Sequence, residues 1–341
     1  MNSISTSLPP LPDRPTVSAF MPARNAAGTI QAAIASIRRQ RPVQEIVVAL
    51  GPSTDDTREV VVSEADGSPP VRVIDNPTGL IPQGLNLAGQ ATSGDVLVRV
   101  DAHSILPPGY VDAAVQALRE TGAANVGGRQ RPVADGGFGA AVATAMASTV
   151  GSGGATYRVG AQAGPADTVF LGVFRRDALE QVGWYDERFQ RNEDAELNLR
   201  LTKAGHLVWF APELEVDYRP RSDVRPLAKQ YFANGRWRRL TGRVHPGSLG
   251  VRQMLPPALA AGIASCLVAA AVTRRAAPLL PVAGYGAALV TEGWRLTQRP
   301  DEAGRVSAAL ATMHLSFGAG FLVGPPRGAE DQPASGRSSG T

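Results

Sequence analysis

The residues of this chain best suited to chemistry are an aspartate and a histidine that follow an apolar run. Asp101 comes directly after Val96–Val100, and His103 stands two positions later. Side chains at i and i+2 of an extended segment point to the same side, so this pair could hold one divalent cation. That cation could neutralise a diphosphate. The alternative is a plain turn at the end of a strand, with no ligand.

A second acidic cluster lies ninety residues further along, at residues 192–196. Glu193, Asp194 and Glu196 precede Leu197 and a helical spacing of leucines, which predicts a helix over Glu193–Lys203. Acidic residues in a first helical turn are ordinary favourable partners of the helix dipole. The functional alternative is a general base at a helix start, directed into a cleft.

The elements that must position these residues can be read from alternating apolar patterns. Right-handed crossovers between parallel strands bring the loops that follow the strands to one edge, where ligands bind in open sheets. The pattern predicts an α/β fold with a mostly parallel sheet and helices on both faces. We predict strands over Val17–Met21, Glu45–Leu50, Val71–Ile74 and Val96–Val100, and helices over Ala27–Gln40, from Ser53 through Val62, and over Leu80–Ala91. The loops to inspect are Pro22–Asn25, Gly51–Asp55 and Asp101–Ser104.

Composition limits the classes of protein. Of the 341 residues, 43% are hydrophobic and 19% are charged, which is typical of a globular chain. The single cysteine, Cys266, excludes a disulfide scaffold and a cysteine-rich metal site. The formal net charge of +4 is too small to indicate nucleic acid, and we expect no nucleic-acid partner.

The C-terminal third contains three segments almost free of charge. Residues 253–273 and 276–291 carry none, and 306–323 carries only His314. The preceding residues 219–252 hold nine Lys and Arg against one acid, Asp223. Such a run suits an anionic membrane surface, although a solvated face or a site for ligand phosphates would fit too. We favour membrane-associated helices over buried helices of a soluble subdomain. The Arg274–Arg275 pair argues against a simple hairpin through the membrane.

Both ends of the chain are predicted to be disordered. The polar, Pro-rich start lacks the basic and apolar regions of a secretory signal, and the end is rich in Gly, Pro and Ser. The predicted organisation is a leader (1–15), a catalytic domain (16–218), a basic amphipathic connector (219–252), membrane-associated helices (253–324) and a tail (325–341).

Several motifs taken together resemble the family-two glycosyltransferases of GT-A fold, and within them the branch of succinoglycan-synthesis glucosyltransferases. The resemblance covers about Val17 to Trp237. The motifs are Pro22–Asn25, Ser53–Thr57, Asn76–Pro77 with Gly84–Asn86, Val98–Ser104, Leu171–Arg176, Asn192–Glu196 and Arg236–Trp237, joined by Met313–Ser316 and Gly318–Phe321 near the end.

The resemblance implies roles for individual residues. Asp194 would be the catalytic base, supported by Glu193, and a single base without a nucleophile implies inversion. Asp101 and His103 would hold Mg²⁺ or Mn²⁺, although His103 could instead touch phosphate or water, because imidazole is a less typical ligand for these ions. The implied donor-binding residues are Pro22, Arg24, Asn25, Gly51, Asp75, Asn86, Arg99, Asp101, Arg236 and Trp237, and the implied acceptor-binding residues are Leu171, Gly172 and Trp184.

Some of these assignments have alternatives. Asn25 could be only a cap, and Trp184 could serve packing. Gln230 with Arg236–Trp237 is a spread version of the Gln-x-x-Arg-Trp motif of processive synthases, and its spacing argues against processivity. The family usually carries an acid before Ser-Thr-Asp that holds the nucleoside, whereas this chain has Leu50–Gly51–Pro52 there.

The resemblance therefore predicts an inverting hexosyltransferase of exopolysaccharide or cell-envelope glycan synthesis. Its donor would be a nucleotide diphosphate sugar of the UDP-glucose type, and its acceptor a lipid-linked saccharide. It would act at the cell membrane, with the catalytic domain on the cytoplasmic side. The alternatives are direct transfer to a polyprenyl phosphate, or a non-catalytic partner protein that keeps the fold but has lost donor binding.

Overall fold

The computed structural model describes residues 8–325 and residue 328. Most of the predicted leader and tail therefore lies outside the described residues. The chain forms two compact units: residues 8–130 and 160–217 make up the first, and residues 131–159 and 218–325 the second. The prediction missed that residues 131–159 leave the first unit.

The first unit is built on a mixed sheet with the order β3-β2-β1-β4-β7-β5-β8-β6. The neighbours β3, β2, β1 and β4 run parallel, and β7 is antiparallel to β4 and β5. The strands are β1 (Val17–Ala23), β2 (Val43–Leu50), β3 (Val71–Asp75), β4 (Val96–Arg99), β5 (Asn125–Pro132), β6 (Gly164–Pro165), β7 (Phe170–Arg175) and β8 (Val208–Tyr218).

The helices divide between the two units. Helices α5–α7 and α10–α13 belong to the second unit and the others to the first. The helices are α1 (Ile30–Arg38), α2 (Thr57–Ser63), α3 (Ile81–Ala91), α4 (Tyr110–Thr121), α5 (Gly137–Met146), α6 (Thr149–Ser152), α7 (Thr156–Val159), α8 (Arg176–Val182), α9 (Glu193–Lys203), α10 (Val224–Val244), α11 (Val251–Thr273), α12 (Leu280–Thr297) and α13 (Pro300–Val323), with a short 3-10 turn at Ala277–Leu279 before α12.

The core of the first unit explains why the apolar runs became strands. All four residues of β4 are buried, and β1 is buried along nearly its whole length. Strands covered on both faces read as continuous apolar runs, as parallel strands between helices do. The four predicted strands and the helix over Glu193–Lys203 are confirmed.

Two predicted helices begin later than expected. Helix α1 begins at Ile30 rather than at Ala27, and α2 begins at Thr57 rather than at Ser53, because residues 53–56 form a loop. The Asp55 carboxylate accepts hydrogen bonds from the backbone and hydroxyl of Thr57. Asp and Ser side chains favour such local bonds over helix, which explains the shorter element.

The second unit is helical, and α13 packs against α5, α10, α11 and α12. Helices α10 and α13 approach closely at two glycines: a Cβ on Gly235 would collide with the Phe317 carbonyl, and one on Gly320 with the Phe232 carbonyl. Small residues allow this kind of backbone approach between apolar helices.

Two helices of the described residues are long and apolar enough to cross a membrane, α11 and α13. The third stretch predicted from the sequence became α12, which contains Glu292 and Arg295. Helix α11 exposes most of its apolar side chains, whereas α13 is partly buried by its neighbours.

Candidate active site

The loops predicted to carry the site follow strands that end at one edge of the sheet. In the parallel register, Ala23 of β1 lies beside Leu50 of β2, and Phe20 lies beside Arg99 of β4. The loops after β1, β2 and β4 therefore lie at the same edge, as the sequence predicted.

A buried arginine joins the two acidic clusters. Arg99 Nη2 donates to Asp101 Oδ1 and to Glu193 Oε1, each at 3.2 Å, and Arg99 Nη1 donates to Asp194 Oδ1. The Arg99 side chain is 6% exposed, while that of Asp194 is 30% exposed. The structure thus brings the Asp101 loop and the start of α9 together around one guanidinium.

This arrangement was missed by the sequence reasoning, which assigned Arg99 to donor binding. The available signal was an arginine within an otherwise apolar strand, since β4 is buried at all four positions. A buried cation is retained only when acids or hydrogen-bond acceptors surround it. The paired acids Glu193 and Asp194 are the partners that this rule demands.

The charges of the cluster do not cancel. One guanidinium faces three carboxylates, so the cluster formally carries an excess of two negative charges. Burial opposes the charged form of Arg99, but Asp101, Tyr185 and Glu193 together raise its pKa above the usual value. Arg99 also lies over the Tyr185 ring, 5.9 Å from its centroid. Burial in turn raises the pKa of Tyr185 above its ordinary range.

The residues at this edge fit a divalent cation that takes its remaining ligands from a substrate. Among the described residues, no group of three or more His, Cys, Asp and Glu side chains is arranged to hold a metal. Asp101 and the exposed His103 offer two side chains beside the negative cluster. Mg²⁺ and related ions are often held by one or two carboxylates together with substrate phosphates, which matches this partial set.

The loops after β1 and β2 are fastened to each other by Asn25. Its side-chain oxygen accepts from the Thr54 backbone at 2.8 Å, and its backbone N–H donates to Ser53 Oγ at 3.1 Å. The residue has φ of 50°, a left-handed conformation that asparagine tolerates. Its contacts therefore join two loops. The sequence had suggested only a contact with the donor or a helix cap for this residue.

The backbone is crowded at Gly51, beside the place where the family usually carries an acid. A Cβ on Gly51 would lie 3.0 Å from the Cα of Gly79 and 3.4 Å from the Cβ of Arg24. A side chain at position 51 would therefore need the neighbouring backbone to move. Asp75, at the end of the adjacent β3, forms an exposed ion pair with Arg58.

Asn86 lies in the middle of α3, and Pro22 of β1 lies against the same helix. Asn86 is buried, and its amide donates to Tyr185 O at 2.9 Å and accepts from Tyr185 N at 2.9 Å. It therefore holds the segment beneath Arg99. Pro22 packs against Gly84, where a Cβ would lie 2.9 Å from that of Pro22. Their predicted donor contacts stay predictions.

The three predicted acceptor residues are all held by packing. Leu171 and Gly172 are interior residues of β7, and Leu171 O accepts from Tyr110 Oη at 3.1 Å. Trp184 lies over Gly89 of α3, where a Cβ would be 2.7 Å from its ring. Arg200 of α9 donates to Trp184 O at 2.6 Å and so ties this segment to the base-bearing helix.

Two predicted donor residues lie in α10 of the second unit. Arg236 Nε donates to Gly324 O at 2.7 Å, and Trp237 is buried. Gln230 Nε2 donates to Tyr218 Oη at 3.1 Å. The predicted diphosphate contact of Arg236 stays a prediction.

Comparison with known proteins shows the family of this chain. The model of the family described as Glycosyl transferase family 2 matches residues 18–183. Succinoglycan biosynthesis protein ExoA of Rhizobium meliloti (strain 1021) is 36% identical over 307 residues, which cover 88% of this chain and 92% of ExoA. A Methanococcus voltae enzyme is 23% identical over 199 residues, 56% of this chain and 62% of its own length; it is the dolichyl N-acetyl-alpha-D-glucosaminyl phosphate 3-beta-D-2,3-diacetamido-2,3-dideoxy-beta-D-glucuronosyltransferase.

A solved structure shares the fold. The mannosyltransferase PcManGT from Pyrobaculum calidifontis, in complex with GDP-Man and Mn²⁺, superposes with a TM-score of 0.63 at 19% identity, covering 92% of this chain and 88% of that one. The sheet and its loop edge define a glycosyltransferase of GT-A fold. The chain belongs to glycosyltransferase family 2, and within that family it is similar to ExoA over most of its length.

Proposed function

We propose that this chain, a family-2 glycosyltransferase of polysaccharide or glycan synthesis, transfers a sugar with inversion from a nucleotide diphosphate sugar of the UDP-glucose type. The acceptor is a lipid-linked saccharide of an exopolysaccharide or cell-envelope glycan. The observation that carries this proposal is the joining of Asp101, Glu193 and Asp194 by the buried Arg99.

Asp194 is the base in this proposal. Its side chain is 30% exposed, whereas that of Glu193 is 12% exposed, so Asp194 is the more accessible to an acceptor hydroxyl. It takes the hydroxyl proton while the hydroxyl oxygen bonds to the anomeric carbon and the bond to the diphosphate breaks. A single displacement with one base gives inversion. Arg99 orients Asp194 by hydrogen bonding, and Glu193 shares that guanidinium.

The donor diphosphate is assigned to the edge at Asp101 and His103. A bound Mg²⁺ or Mn²⁺ would neutralise charge on the leaving diphosphate. Asp101 and His103 would hold the ion, and the net negative cluster beside them favours a cation there. The presence of GDP-Man and Mn²⁺ in the PcManGT structure supports this assignment by likeness of fold.

The acceptor sugar in this proposal is carried by a membrane lipid. The name of the Methanococcus relative describes a dolichyl phosphate-linked sugar as its substrate, which supports a lipid carrier here. Helices α11 and α13 are long and apolar enough to reach into a bilayer, and the basic residues of α10 suit an anionic leaflet. We place the catalytic unit on the cytoplasmic side, where nucleotide sugars are made.

Calorimetric titration with a panel of nucleotide diphosphates, with and without Mn²⁺, tests the donor part of the proposal. We expect metal-dependent binding of one nucleotide, lost in Asp101→Ala and unchanged in Glu120→Ala, which removes an exposed carboxylate of the same unit. Absence of binding by every nucleotide in folded protein would contradict the proposal and favour a non-catalytic partner. Binding that is equally tight without metal would contradict the assigned cation.

A further inference from the structure

Arg158, in the short helix α7 of the second unit, has a buried guanidinium nitrogen. It does not belong to the cluster around Arg99. Arg158 Nε donates to Tyr157 Oη at 3.3 Å, and the guanidinium carbon lies 5.4 Å from the centroid of the Tyr157 ring. The guanidinium is thus held in place by stacking and by one hydrogen bond.

Neutral hydroxyl groups surround this guanidinium. Tyr231 and Tyr218, both of the second unit, interact electrostatically with Arg158 in addition to Tyr157. No ion pair among the described residues includes Arg158. Its Nη1 is buried and forms no hydrogen bond with any described residue. A buried guanidinium nitrogen without a partner is costly unless an acceptor reaches it.

Further positive charge converges on the same place. Burial alone would raise the pKa of Tyr157, but Arg158 together with Arg238 and Arg252 lowers it below its ordinary value. Arg238 lies in α10, and Arg252 lies in the first turn of α11. A Cβ on Gly153 would lie 3.7 Å from that of Arg252, so the start of α11 packs beside the segment that carries Arg158.

These features match the chemistry of a phosphate. A guanidinium offers parallel N–H donors that pair with two phosphate oxygens, and neighbouring arginines strengthen the binding of a doubly charged group. A tyrosine hydroxyl can supply one more hydrogen bond. A carboxylate ligand would satisfy one arginine, whereas three arginines around one phenol favour a group with more negative charge.

The position of the cluster indicates that this phosphate is carried by a lipid. Arg252 is followed in α11 by twenty-one residues without charge, and several of their apolar side chains are exposed, including Leu255, Val268 and Val272. A phosphate bound at the start of α11 would have its hydrocarbon chain beside this apolar surface. A free phosphate has no hydrocarbon chain that could contact that surface.

We propose that Arg158, Tyr157, Arg238 and Arg252 form a binding site for the phosphate of a membrane lipid, in the first place a polyprenyl phosphate or diphosphate. The choice of polyprenyl carrier rests on the proposed function. The phosphate chemistry is shared with the headgroup of an anionic phospholipid, so the two sources must be separated by experiment.

Vesicle flotation of the full chain, without nucleotide, tests the site. The vesicles are of phosphatidylcholine alone, with a small fraction of polyprenyl phosphate, or with the same fraction of phosphatidylglycerol. Arg158→Gln removes the charge, and Arg158→Lys keeps the charge without the paired N–H donors. The matched control is Arg39→Gln, which removes an exposed arginine outside the basic residues 219–252.

We expect Arg158→Gln to weaken binding to polyprenyl phosphate vesicles about tenfold and Arg158→Lys to recover only part of it, while Arg39→Gln stays within about twofold of wild type. Equal weakening on phosphatidylglycerol vesicles would support the phosphate site and identify the phospholipid headgroup as its source. Equal losses in Arg158→Gln and Arg39→Gln would overturn the proposal, because diffuse attraction would then explain binding.

Two further measurements keep the test decisive. Tyr157→Phe removes the hydroxyl but keeps the ring, and we expect it to weaken binding to polyprenyl phosphate vesicles about threefold. This variant tests the site even if the arginine variants fail to fold. Nucleotide titration of the same preparations reports on donor binding, which is independent of the lipid phosphate. A wild type that binds lipid phosphate but no nucleotide would contradict the proposed function and leave the phosphate site standing, and the reverse result would contradict only the site.

Discussion

The two units each place an arginine among buried groups, but they surround it differently. Arg99 in the first unit donates to three carboxylates, whereas Arg158 in the second unit lies among three phenols. Carboxylates saturate a guanidinium and fix both partners, while neutral hydroxyls leave its charge uncompensated. The comparison indicates that the partners of an arginine decide its role. Carboxylate partners allow it to orient catalytic acids, whereas neutral partners leave it able to bind an anion.

The largest expected effect is on the base of the first unit. Asp194→Asn keeps an oxygen that accepts from Arg99 Nη1, but it cannot take a proton from the acceptor. We expect kcat to fall about a thousandfold with donor affinity almost unchanged. Transfer assays with the donor and calorimetry with the nucleotide diphosphate measure the two quantities.

The matched control is Glu193→Gln, which changes the neighbouring acid that Arg99 also binds. We expect a smaller loss of kcat, because Glu193 is the less exposed of the two acids. A larger loss in Glu193→Gln than in Asp194→Asn would show that the roles are reversed.

The next effect concerns the apolar surface of the second unit. Val268 and Val272 of α11 are 62% and 78% exposed, so Val268→Glu with Val272→Glu leaves the packed side of the helix unchanged. A charge at the centre of a membrane helix costs about 2.5–3.5 kcal/mol. Both positions lie in the last two turns of α11, where the cost is smaller, and the two charges together predict at least a tenfold loss of membrane association. Sedimentation of cell membranes measures it.

Leu87→Glu places the same charge on an exposed apolar position of the first unit, 40% exposed in α3. We expect it to leave the membrane-bound fraction unchanged. Retention of the double variant on membranes would show that α11 does not enter the bilayer and that the basic residues suffice.

The sequence predicted strands β1–β4, helices α1–α3 and α9, and the edge of the sheet at which the Asp101 loop lies, but not β5–β8, α4 or α8. Val96–Arg99 and the helix Glu193–Lys203 were predictable because their apolar periodicity reflects local burial. The Asp101 and Asp194 clusters were each recognised, because acids directly after a strand or in a first helical turn stand out in a sequence.

The contacts among these elements were not predictable in the same way. Arg99 is joined to residues 94 and 95 positions away, and periodicity carries no information about such distant pairs. Asn86 was assigned to the donor, yet its amide holds Tyr185, 99 positions away. The sequence of residues 131–159 also does not indicate that they belong to the second unit, because their helices have no pattern that sets them apart from those of the first unit.

A smaller effect distinguishes orientation by Arg99 from donor binding. Arg99→Lys keeps the charge, but an ammonium cannot reproduce the paired N–H donors that reach Asp101, Glu193 and Asp194 together. We expect kcat to fall about tenfold with the KM for the donor nearly constant. A rise in that KM with kcat unchanged would restore the interpretation that the sequence favoured, in which Arg99 binds the donor.

The smallest effect tests whether Asp75 replaces the acid missing near Gly51. Asp75 is ion-paired with Arg58, and both side chains are mostly exposed, so the pair contributes less than about 1 kcal/mol to the free energy of unfolding. We expect Asp75→Asn to weaken nucleotide binding about fivefold, as loss of one hydrogen bond to a charged group would. Arg58→Gln breaks the same ion pair but keeps the carboxylate, so it should leave nucleotide affinity unchanged. If calorimetry finds the same loss in both variants, the ion pair shapes the loop and Asp75 does not touch the nucleoside. If it finds no loss in either, backbone groups beside Gly51 are left to hold the nucleoside, since a side chain at that position would crowd Gly79.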